Sequence, residues 1–386
     1  MVTVARAFRA RRWVLALLLP ATAAAQATRP VAAASAVAAP LIPPATPLPP
    51  ASATAGITRF SFIIYGDTRG RHDGTQIQAE HQLVAESMLE TIRRAAGTPD
   101  AIRFVLQSGD AVHDGENAAE WDVSYAPVVN QLMRAGDVPL FLAVGNHDVG
   151  SGRDTTDARR NAGLRNYYAA NARLIPAEGS PNRLAGYPDY AFGYGNTWFM
   201  ALDSNIPDDS TQLAWMTRQL AQLDRARFPN VVVFCHHQPF SSGHHGGATV
   251  ERPAAAMRAA WMPLFRRYHV RLLATGHEHL FEHWVERYSD ASGSHRIDEI
   301  VSGGGGAPLT TYSGEPDLTA YVDSNRAMHV SVEHLARPSS DPGANPFHYV
   351  VVHVDGTQFS VEVIGVDWGK GFAPYRSNSA QLQDGR

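Results

Sequence analysis

Short apolar runs alternate along the chain with longer segments whose apolar residues recur at helical spacing. The runs are rich in Val, Ile and Leu and predict buried strands at 57–65, 102–107, 138–144, 231–235 and 270–275. The longer segments predict helices at 76–96, 118–135, 210–227 and 253–268, with weaker helical character at 159–172. Because strand and helix alternate in the first third, this pattern is typical of a parallel sheet with right-handed crossovers.

The carboxyl-terminal third has a different pattern. Predicted strands follow one another there without helices between them, at 280–288, 297–301, 347–354 and 358–366. The turn Asp355-Gly356-Thr357 joins the last two, which are therefore predicted to be antiparallel. We expect an α/β fold over residues 56–368, with two packed mixed β-sheets flanked by helices.

Polar residues directly follow five of the predicted strands. Since strand ends of an open α/β sheet meet at one edge, these side chains are expected to converge. Mixed oxygen and imidazole ligands suit Mn, Fe or Zn, and a carboxylate can bridge two ions about 3.5–4 Å apart. Such a site suits phosphate-ester hydrolysis. The residues are Asp67, Asp110, Asn146, His236, His277 and His279.

Five short motifs carry a resemblance to a known family. In chain order they are Gly66-Asp67, Gly109-Asp110, Gly145-Asn146-His147-Asp148, His236-His237 and Gly276-His277-Glu278-His279. Together they resemble the signature blocks of the calcineurin-like metallophosphoesterases. The glycine-rich stretch at 302–308 is similar to that of the purple acid phosphatases within this family. The resemblance implies a metallophosphatase-like sandwich of two sheets between helical layers.

The resemblance also implies two sets of metal ligands, for two divalent or trivalent ions of Fe, Mn or Zn. Asp110 would bridge the ions, and Asp67 and His279 would hold the first. The second ion would be held by Asn146, His236 and His277.

Catalytic roles follow from the same resemblance. Metal-bound hydroxide would attack the phosphate ester. His147, oriented by Asp148, would protonate the leaving oxygen or steady the phosphate. The role of Arg69 is inferred from its chemistry and not from the resemblance: it could face the phosphate oxygens, where a fixed bidentate donor suits the charge.

The first block departs from most of the family. Most members have Asp-x-His, whereas this chain has Asp67-Thr68-Arg69, so one ligand of the first metal is missing. Purple acid phosphatases also lack that histidine and supply a tyrosine three residues after the bridging aspartate, where this chain has His113. We hypothesise that His113 completes the first metal's ligands; the alternative is a loop histidine that hydrogen-bonds the backbone. Without tyrosinate, an iron-loaded enzyme is expected to lack the purple charge-transfer colour.

Two pairs of histidines leave alternatives open. His236 is preferred over His237 as the ligand, because it comes first after the strand and its distance to Ser241-Ser242-Gly243 matches the usual block. His244 and His245 lie in a glycine-rich loop, where solvation is favoured over substrate contact.

The two ends of the chain differ in composition from the rest. Residues 1–26 combine four arginines, an apolar run and Ala23-Ala24-Ala25, which is the plan of a secretory signal peptide; Arg11-Arg12 also resembles a twin-arginine signal. Residues 27–55, rich in Ala and Pro, predict a disordered tether, and 369–386 a polar tail. We expect a periplasmic or secreted protein without stable membrane insertion after cleavage.

The charge balance bears on the partners. Loss of residues 1–26, which hold four arginines and no acidic residue, would change the formal net charge from −4 to −8. This charge excludes nucleic-acid binding by counterion release. The expected partner is a small phosphate ester. The alternatives are a phosphodiesterase acting on cyclic nucleotides or phospholipid head groups, and a low-turnover, metal-stabilised binding protein.

Overall fold

The computed structural model of the protein describes residues 37–70, 75–150, 152–366 and 374–382. The predicted signal peptide at 1–26 and the beginning of the predicted tether, 27–36, lie outside the described residues. No helix within these ranges combines the length and the apolar character that a membrane span requires.

Strands and helices alternate through most of the described chain. The helices are α1 Ala79–Ala95, α2 Ala126–Gly136, α3 Ala158–Asn171, α4 Ser210–Gln222, α5 Arg252–Arg267 and α6 Thr319–Ser324. The strands are β1 Arg59–Tyr65, β2 Ile102–Gln107, β3 Leu140–Leu142, β4 Tyr190–Tyr194, β5 Thr197–Ala201, β6 Asn230–Phe234, β7 Leu272–Thr275, β8 Phe281–Asp290, β9 Gly293–Ser302, β10 Ser331–Ala336, β11 Phe347–Asp355, β12 Gln358–Val366 and β13 Pro374–Leu382.

The strands form two mixed sheets, which confirms the predicted fold class. The first sheet has the order β13-β12-β11-β1-β2-β3, with β1, β2 and β3 parallel and β11 antiparallel to β1. The second has the order β10-β8-β9-β7-β6-β5-β4, with β5, β6, β7 and β9 parallel. All strands of the second sheet lie in the sequence between β3 and β11 of the first.

The main core lies between the sheets. Phe62 of β1 and Phe104 of β2 both meet Phe199 of β5 edge to face, with ring centroids 5.3 and 5.0 Å apart. The two faces of β6 show the layering, because side chains alternate across a strand. Val232 and Phe234 belong to the core between the sheets, whereas the alternating valines of β6 pack with residues of α4 and α5. Central strands are thus buried on both faces, which explains their nearly continuous apolar runs.

Residues 37–55 lie against the domain, so the prediction of a disordered tether does not hold for this part. Leu41 is 1% exposed, and its N–H donates to the carbonyl of Ala170 in α3 at 2.8 Å. This segment is too rich in proline to join a sheet, but polar side chains near α2 and α3 accept from four of its N–H groups. The pairs are Ala38 with Asn166, Ala39 with Asp122, Ile42 with Asn130 and Thr46 with Asp137.

Two further elements differ from the sequence expectations. The predicted helix at 118–135 is a π-helical turn, Glu120–Tyr125, followed by α2, whose first turn contains Pro127 because proline lacks the N–H that an interior position needs. The predicted polar tail at 369–386 contains β13, which pairs with β12 and extends the first sheet beyond residue 368.

Candidate metal centre

The six predicted ligands lie at one edge of the two sheets. The loops after β1, β2 and β3 of the first sheet supply the oxygen donors, and the loops after β6 and β7 of the second supply the imidazoles. The centre therefore draws on both sheets. Its side chains in chain order are Asp67, Asp110, Asn146, His236, His277 and His279.

His236 has the most contacts with the other predicted ligands. Its Nε2 atom lies 2.8 Å from Asn146 Oδ1, 3.3 Å from Asp110 Oδ1 and 3.1 Å from His277 Nδ1. Ligand atoms of Asp67, Asp110 and His236 all lie within 4.8 Å of one another. Donors from both sheets therefore surround one small volume.

His279 and Arg69 lie on the other side of the aspartates. His279 Nε2 is 3.5 Å from Asp67 Oδ1, and its Nδ1 is 2.7 Å from the carbonyl oxygen of Pro308. Arg69 Nε is 3.4 Å from Asp110 Oδ2, and a terminal nitrogen of the same guanidinium is 3.5 Å from His279 Nε2. Arg69 thus lies beside the predicted ligands of the first metal.

Three of the ligands have left-handed backbone, with φ of 61° at Asp67, 51° at Asp110 and 67° at His277. Such φ values cost energy for residues other than glycine and persist only where surrounding contacts hold them. The His277 N–H donates to the Asp67 carboxylate at 3.0 Å, and the His147 N–H donates to Asp110 Oδ1 at 2.9 Å. Hydrogen bonds between the loops therefore stabilise the left-handed backbone of these residues.

The motif glycines allow these loops to approach closely. A Cβ at Gly145 would lie 2.2 Å from Asp110 Oδ1, and one at Gly276 would lie 2.3 Å from Asp67 Oδ2. The glycine-rich stretch after β9 forms a backbone turn beside the same loops, where the N–H of Gly305 donates to the carbonyl of Gly66 at 2.8 Å. Any larger residue at these positions would displace a ligand loop.

Asp148 does not orient the ring of His147, contrary to the sequence expectation. Its carboxylate accepts from the N–H groups of Ala111 and Gly145, both at 2.8 Å, and so joins the loops after β2 and β3. The Nδ1 atom of His147 lies instead 2.7 Å from the carbonyl oxygen of His113. A backbone carbonyl takes the place that the prediction gave to a carboxylate.

His113 is half-buried beside His147, with ring centroids 5.1 Å apart. Among the described residues it belongs to none of the groups of three or more ligand atoms that lie within 4.8 Å of one another. Its role as a ligand of the first metal stays a prediction.

His236 and His237 face different surroundings. His237 is buried, and its Nδ1 lies 2.9 Å from the hydroxyl of Ser204. His236 alone of the two has a ring nitrogen within 3.5 Å of both Asp110 and Asn146 among the contacts of the described residues. This geometry favours His236 as the ligand.

Sequence reasoning missed Glu251, which lies immediately before α5. Its Oε2 is 3.1 Å from His277 Nε2, and its Oε1 is 2.7 Å from Nδ1 of His245. His245 is therefore held by a carboxylate, which differs from the solvated loop that the sequence favoured. An acidic residue at a helix start is usually explained by the helix dipole, so the sequence carried no signal for this contact.

A cleft of about 320 Å³ opens beside the second set of ligands. Asn146 and His277 line it together with His237, His245 and Glu251. The cleft joins the convergent donors to solvent.

The sequence between β1 and β8 matches a known family. The profile of the family described as calcineurin-like phosphoesterase matches residues 62–281, which is more than half of the chain. The chain belongs to the calcineurin-like phosphoesterase family. This membership confirms the resemblance drawn from the five motifs and supports the prediction of a metal-dependent phosphoester hydrolase.

Two curated proteins are similar to part of this chain. Both come from strains of Mycobacterium tuberculosis, and both are described as uncharacterized. Each is 30% identical over 161 residues, which are 37% of this chain and 27% of the relative. The chain therefore spans about a quarter of the length of the curated relatives it matches.

Solved structures with this fold include a purple acid phosphatase from yellow lupin (Lupinus luteus) seeds. It superposes with a TM-score of 0.56 at 17% identity, covering 84% of this chain and 54% of that one. PhoD superposes with a TM-score of 0.52 at 12% identity, covering 86% of this chain and 73% of that one. These likenesses confirm the calcineurin-like phosphoesterase fold.

The donor set of this phosphoesterase fits metal ions, as the hydrogen bonds of its histidines indicate. His236 Nδ1 lies 3.0 Å from the carbonyl oxygen of Ser108, and His279 Nδ1 lies 2.7 Å from that of Pro308. His277 Nε2 faces the Glu251 carboxylate. Because a ring nitrogen facing a carbonyl or carboxylate carries the proton, the other nitrogen of each ring presents a lone pair. These lone pairs face carboxylate oxygens or one another, an arrangement that a cation stabilises.

The protonation states at the centre also favour metal binding. Burial lowers the pKa of His236, so its imidazole is neutral and able to ligate. Burial opposes ionisation of Asp110, yet the adjacent Arg69 guanidinium and the hydrogen bond from the His147 N–H favour the carboxylate, and the pKa of Asp110 lies below its ordinary value. Burial and the Asp110 charge raise the pKa of Asp148, against the backbone N–H groups that lower it.

Proposed function

We propose that this protein is a metal-dependent hydrolase of phosphate esters that works with two metal ions. When bound, such ions supply Lewis acidity and a nucleophile formed from water near neutral pH. The mixed oxygen and imidazole donors suit Fe, Mn or Zn. The residues that would hold the ions are Asp67, Asp110, His113, Asn146, His236, His277 and His279.

The observation that carries this proposal is the convergence of unprotonated ring nitrogens and carboxylate oxygens. His236 Nε2 has the Asp110 carboxylate at 3.3 Å and His277 Nδ1 at 3.1 Å, and with the ring protons on the opposite nitrogens all of these atoms are acceptors. Without a cation between them, such contacts would be repulsive. A binding protein would also hold ions there, but His147 and Arg69 beside the ions favour turnover.

His147 and Arg69 would act on the substrate directly. The Nδ1–H of His147 donates to the carbonyl of His113, so Nε2 is the nitrogen that would pass a proton to the leaving oxygen. The backbone N–H of His147 donates to Asp110 Oδ1, which places this residue beside the carboxylate that two ions would share. Arg69 supplies a guanidinium near Asp110 and His279 that would bind phosphate oxygens.

The deciding experiment combines metal analysis with hydrolysis of para-nitrophenyl phosphate and its bis-ester. We expect close to two metal ions per chain at this centre, and Asp110→Asn should lower kcat by on the order of 100-fold or more because the shared ligand loses its charge. Asp323→Asn, at an exposed position of α6, is the control and should retain metal and activity. The ratio of rates on the two esters separates a monoesterase from a diesterase.

The same preparation tests His113. If His113 binds the first metal, His113→Ala should lose metal as well as rate, whereas a loop histidine would leave the metal content unchanged. Bound metal without hydrolysis of either ester would favour the binding protein, and rates that are unaltered in Asp110→Asn would refute the proposed site.

We also infer export from the composition of residues 1–26. The expected product is a mature chain that begins near Ala25 and lies in the periplasm or outside the cell. Mass spectrometry of the amino terminus in fractionated cells would detect it, and an intact Met1 in the cytoplasmic fraction would contradict it.

A further inference from the structure

A second cluster of potential ligands lies at the opposite end of the second sheet. His269 precedes β7, and Asp290 and His295 lie on the hairpin that joins β8 to β9. Since β9 runs parallel to β7 with Asp298 opposite Leu272, the hairpin turn lies at the amino end of β7. The candidate phosphoesterase centre follows the carboxyl end of the same strand, so the two sites are separate.

Two imidazoles in this cluster converge on one carboxylate. His269 Nε2 is 2.8 Å from Asp290 Oδ2, and His295 Nε2 is 3.1 Å from Asp290 Oδ1. The two rings are nearly parallel, at 13° with centroids 4.2 Å apart. Ligand atoms of all three residues lie within 4.8 Å of one another.

The backbone and neighbouring rings hold these side chains in place. His269 has left-handed backbone, with φ of 49°, and its carbonyl accepts from the Arg225 guanidinium at 3.4 Å. Tyr288 stacks on the other side of His295 with centroids 5.3 Å apart, and its hydroxyl donates to the carbonyl of Arg266 at 3.1 Å. The cluster is therefore preorganised between the end of α5 and the hairpin, two parts of the chain that the sequence does not join locally.

We propose that His269, Asp290 and His295 form a surface binding site for a zinc-type divalent metal ion. Ligand atoms around a tetrahedral zinc with bonds of about 2.0–2.2 Å are about 3.3 Å apart. The two nitrogen–carboxylate distances of 2.8 and 3.1 Å would need to widen by only a few tenths of an ångström, and the stacked rings would turn so that both Nε2 atoms face the ion. Each imidazole would shift its proton to Nδ1 and ligate through Nε2. This inference is independent of the proposed hydrolase activity.

Solvent reaches the three side chains of the site, and the nearby arginine does not compete for them. The side chains of His269, Asp290 and His295 are 38%, 26% and 24% exposed, so water can occupy a fourth position. The N–H and the hydroxyl of Ser292 donate to Asp290 Oδ1 at 2.7 and 2.6 Å, which holds the carboxylate in place. The nearby Arg225 guanidinium is occupied by the carbonyls of Tyr268 and Pro229.

The test counts zinc ions bound to the full-length protein. Protein stripped with a chelator is titrated with zinc chloride against a chromophoric competitor, and bound zinc is measured after desalting. His269→Asn should bind one ion fewer than the unmodified protein, since asparagine accepts left-handed backbone but supplies no imidazole. His329→Asn is the matched control, because His329 is an exposed histidine with φ of 52°, and it should bind as many ions as the unmodified protein.

A second variant keeps the result interpretable. Asp290→Asn retains the shape of the carboxylate and should also lose one ion, whereas hydrolysis of para-nitrophenyl phosphate stays unchanged in both variants. Thermal melts establish that each variant is folded. Equal zinc counts and affinities in the unmodified protein, His269→Asn and Asp290→Asn would overturn the proposal and leave the cluster as a hydrogen-bonded contact between hairpin and helix.

Discussion

Glu251 is the residue through which the candidate centre depends on a helix outside the motifs. Its carboxylate faces Nε2 of His277 at 3.1 Å and Nδ1 of His245 at 2.7 Å. Burial raises the pKa of Glu251, but its hydrogen bonds to His245 and His277 outweigh burial and place that pKa well below its usual range. A charged carboxylate behind a ligating imidazole fixes the ring and increases its basicity.

Glu251→Gln should therefore weaken metal binding. We expect a loss of about 10–100-fold in metal affinity, because the amide keeps the shape but not the charge that polarises His277. Competition with a chelator measures the affinity, and kinetics at saturating metal should recover much of kcat. Glu333→Gln on β10 is the control, since that side chain is 58% exposed. Unchanged affinity in Glu251→Gln would mean that the carboxylate only orders the loop around His245.

For individual residues, the motifs predicted the candidate ligands but not the groups that orient them. Gly-Asn-His-Asp and Gly-His-x-His were recognisable because ligand and glycine are adjacent in sequence. The partners of the histidines are backbone carbonyls, such as that of Pro308 behind His279, or Glu251, which is 26 residues from His277. Backbone acceptors leave no signature in the identity of a residue, so composition and spacing could not predict them.

The segment at 37–55 is the element whose role the sequence described least well. Its composition of Ala and Pro resembles a flexible linker, yet Ala38 and Leu41 are 2% and 1% exposed. The side-chain acceptors for four of its N–H groups come from residues 83 to 128 positions away. Only the folded domain brings those acceptors together, which is why local pattern predicted disorder.

Leu41→Ala should destabilise the domain, whereas Ile42→Ala should not. The side chain of Leu41 is buried, and removal of a buried leucine costs about 2–5 kcal/mol of unfolding free energy. Ile42 is adjacent and 54% exposed, so its truncation should change that free energy by no more than about 0.5 kcal/mol. Urea unfolding followed by tryptophan fluorescence compares the two. Equal changes in unfolding free energy for the two variants would show that the segment does not unfold cooperatively with the domain.

For the molecule as a whole, buried histidines link stability to pH. Burial lowers the pKa of His81 to about 3 and that of His348 to about 4, against about 6.5 in an unfolded chain. Below pH 6.5 the unfolded state therefore binds protons that the folded state does not. Stability should fall as the pH drops from 6.5 toward 4, by about 1.4 kcal/mol per pH unit for each group.

His81→Gln should make this acid dependence shallower. Glutamine does not titrate and can still bond the hydroxyl of Tyr65, which lies 3.4 Å from His81 Nε2. Urea unfolding between pH 4 and pH 8 should show curves that converge on acidification, with the variant losing less stability than the unmodified protein. Parallel curves would mean that His81 is protonated in the folded state.

The nesting of the second sheet within the sequence of the first has a consequence for synthesis on the ribosome. Strands β1 to β3 emerge early, yet β1 keeps one edge unpaired until β11 has been made, after all seven strands of the second sheet. An open edge at the centre of a sheet is a template for aggregation. All six candidate ligands in the motifs are translated before β11, the strand that covers the open edge of β1. The nascent chain thus carries the candidate donors before it has the complete first sheet that aligns them, and we expect stable metal loading only after β11 has been made.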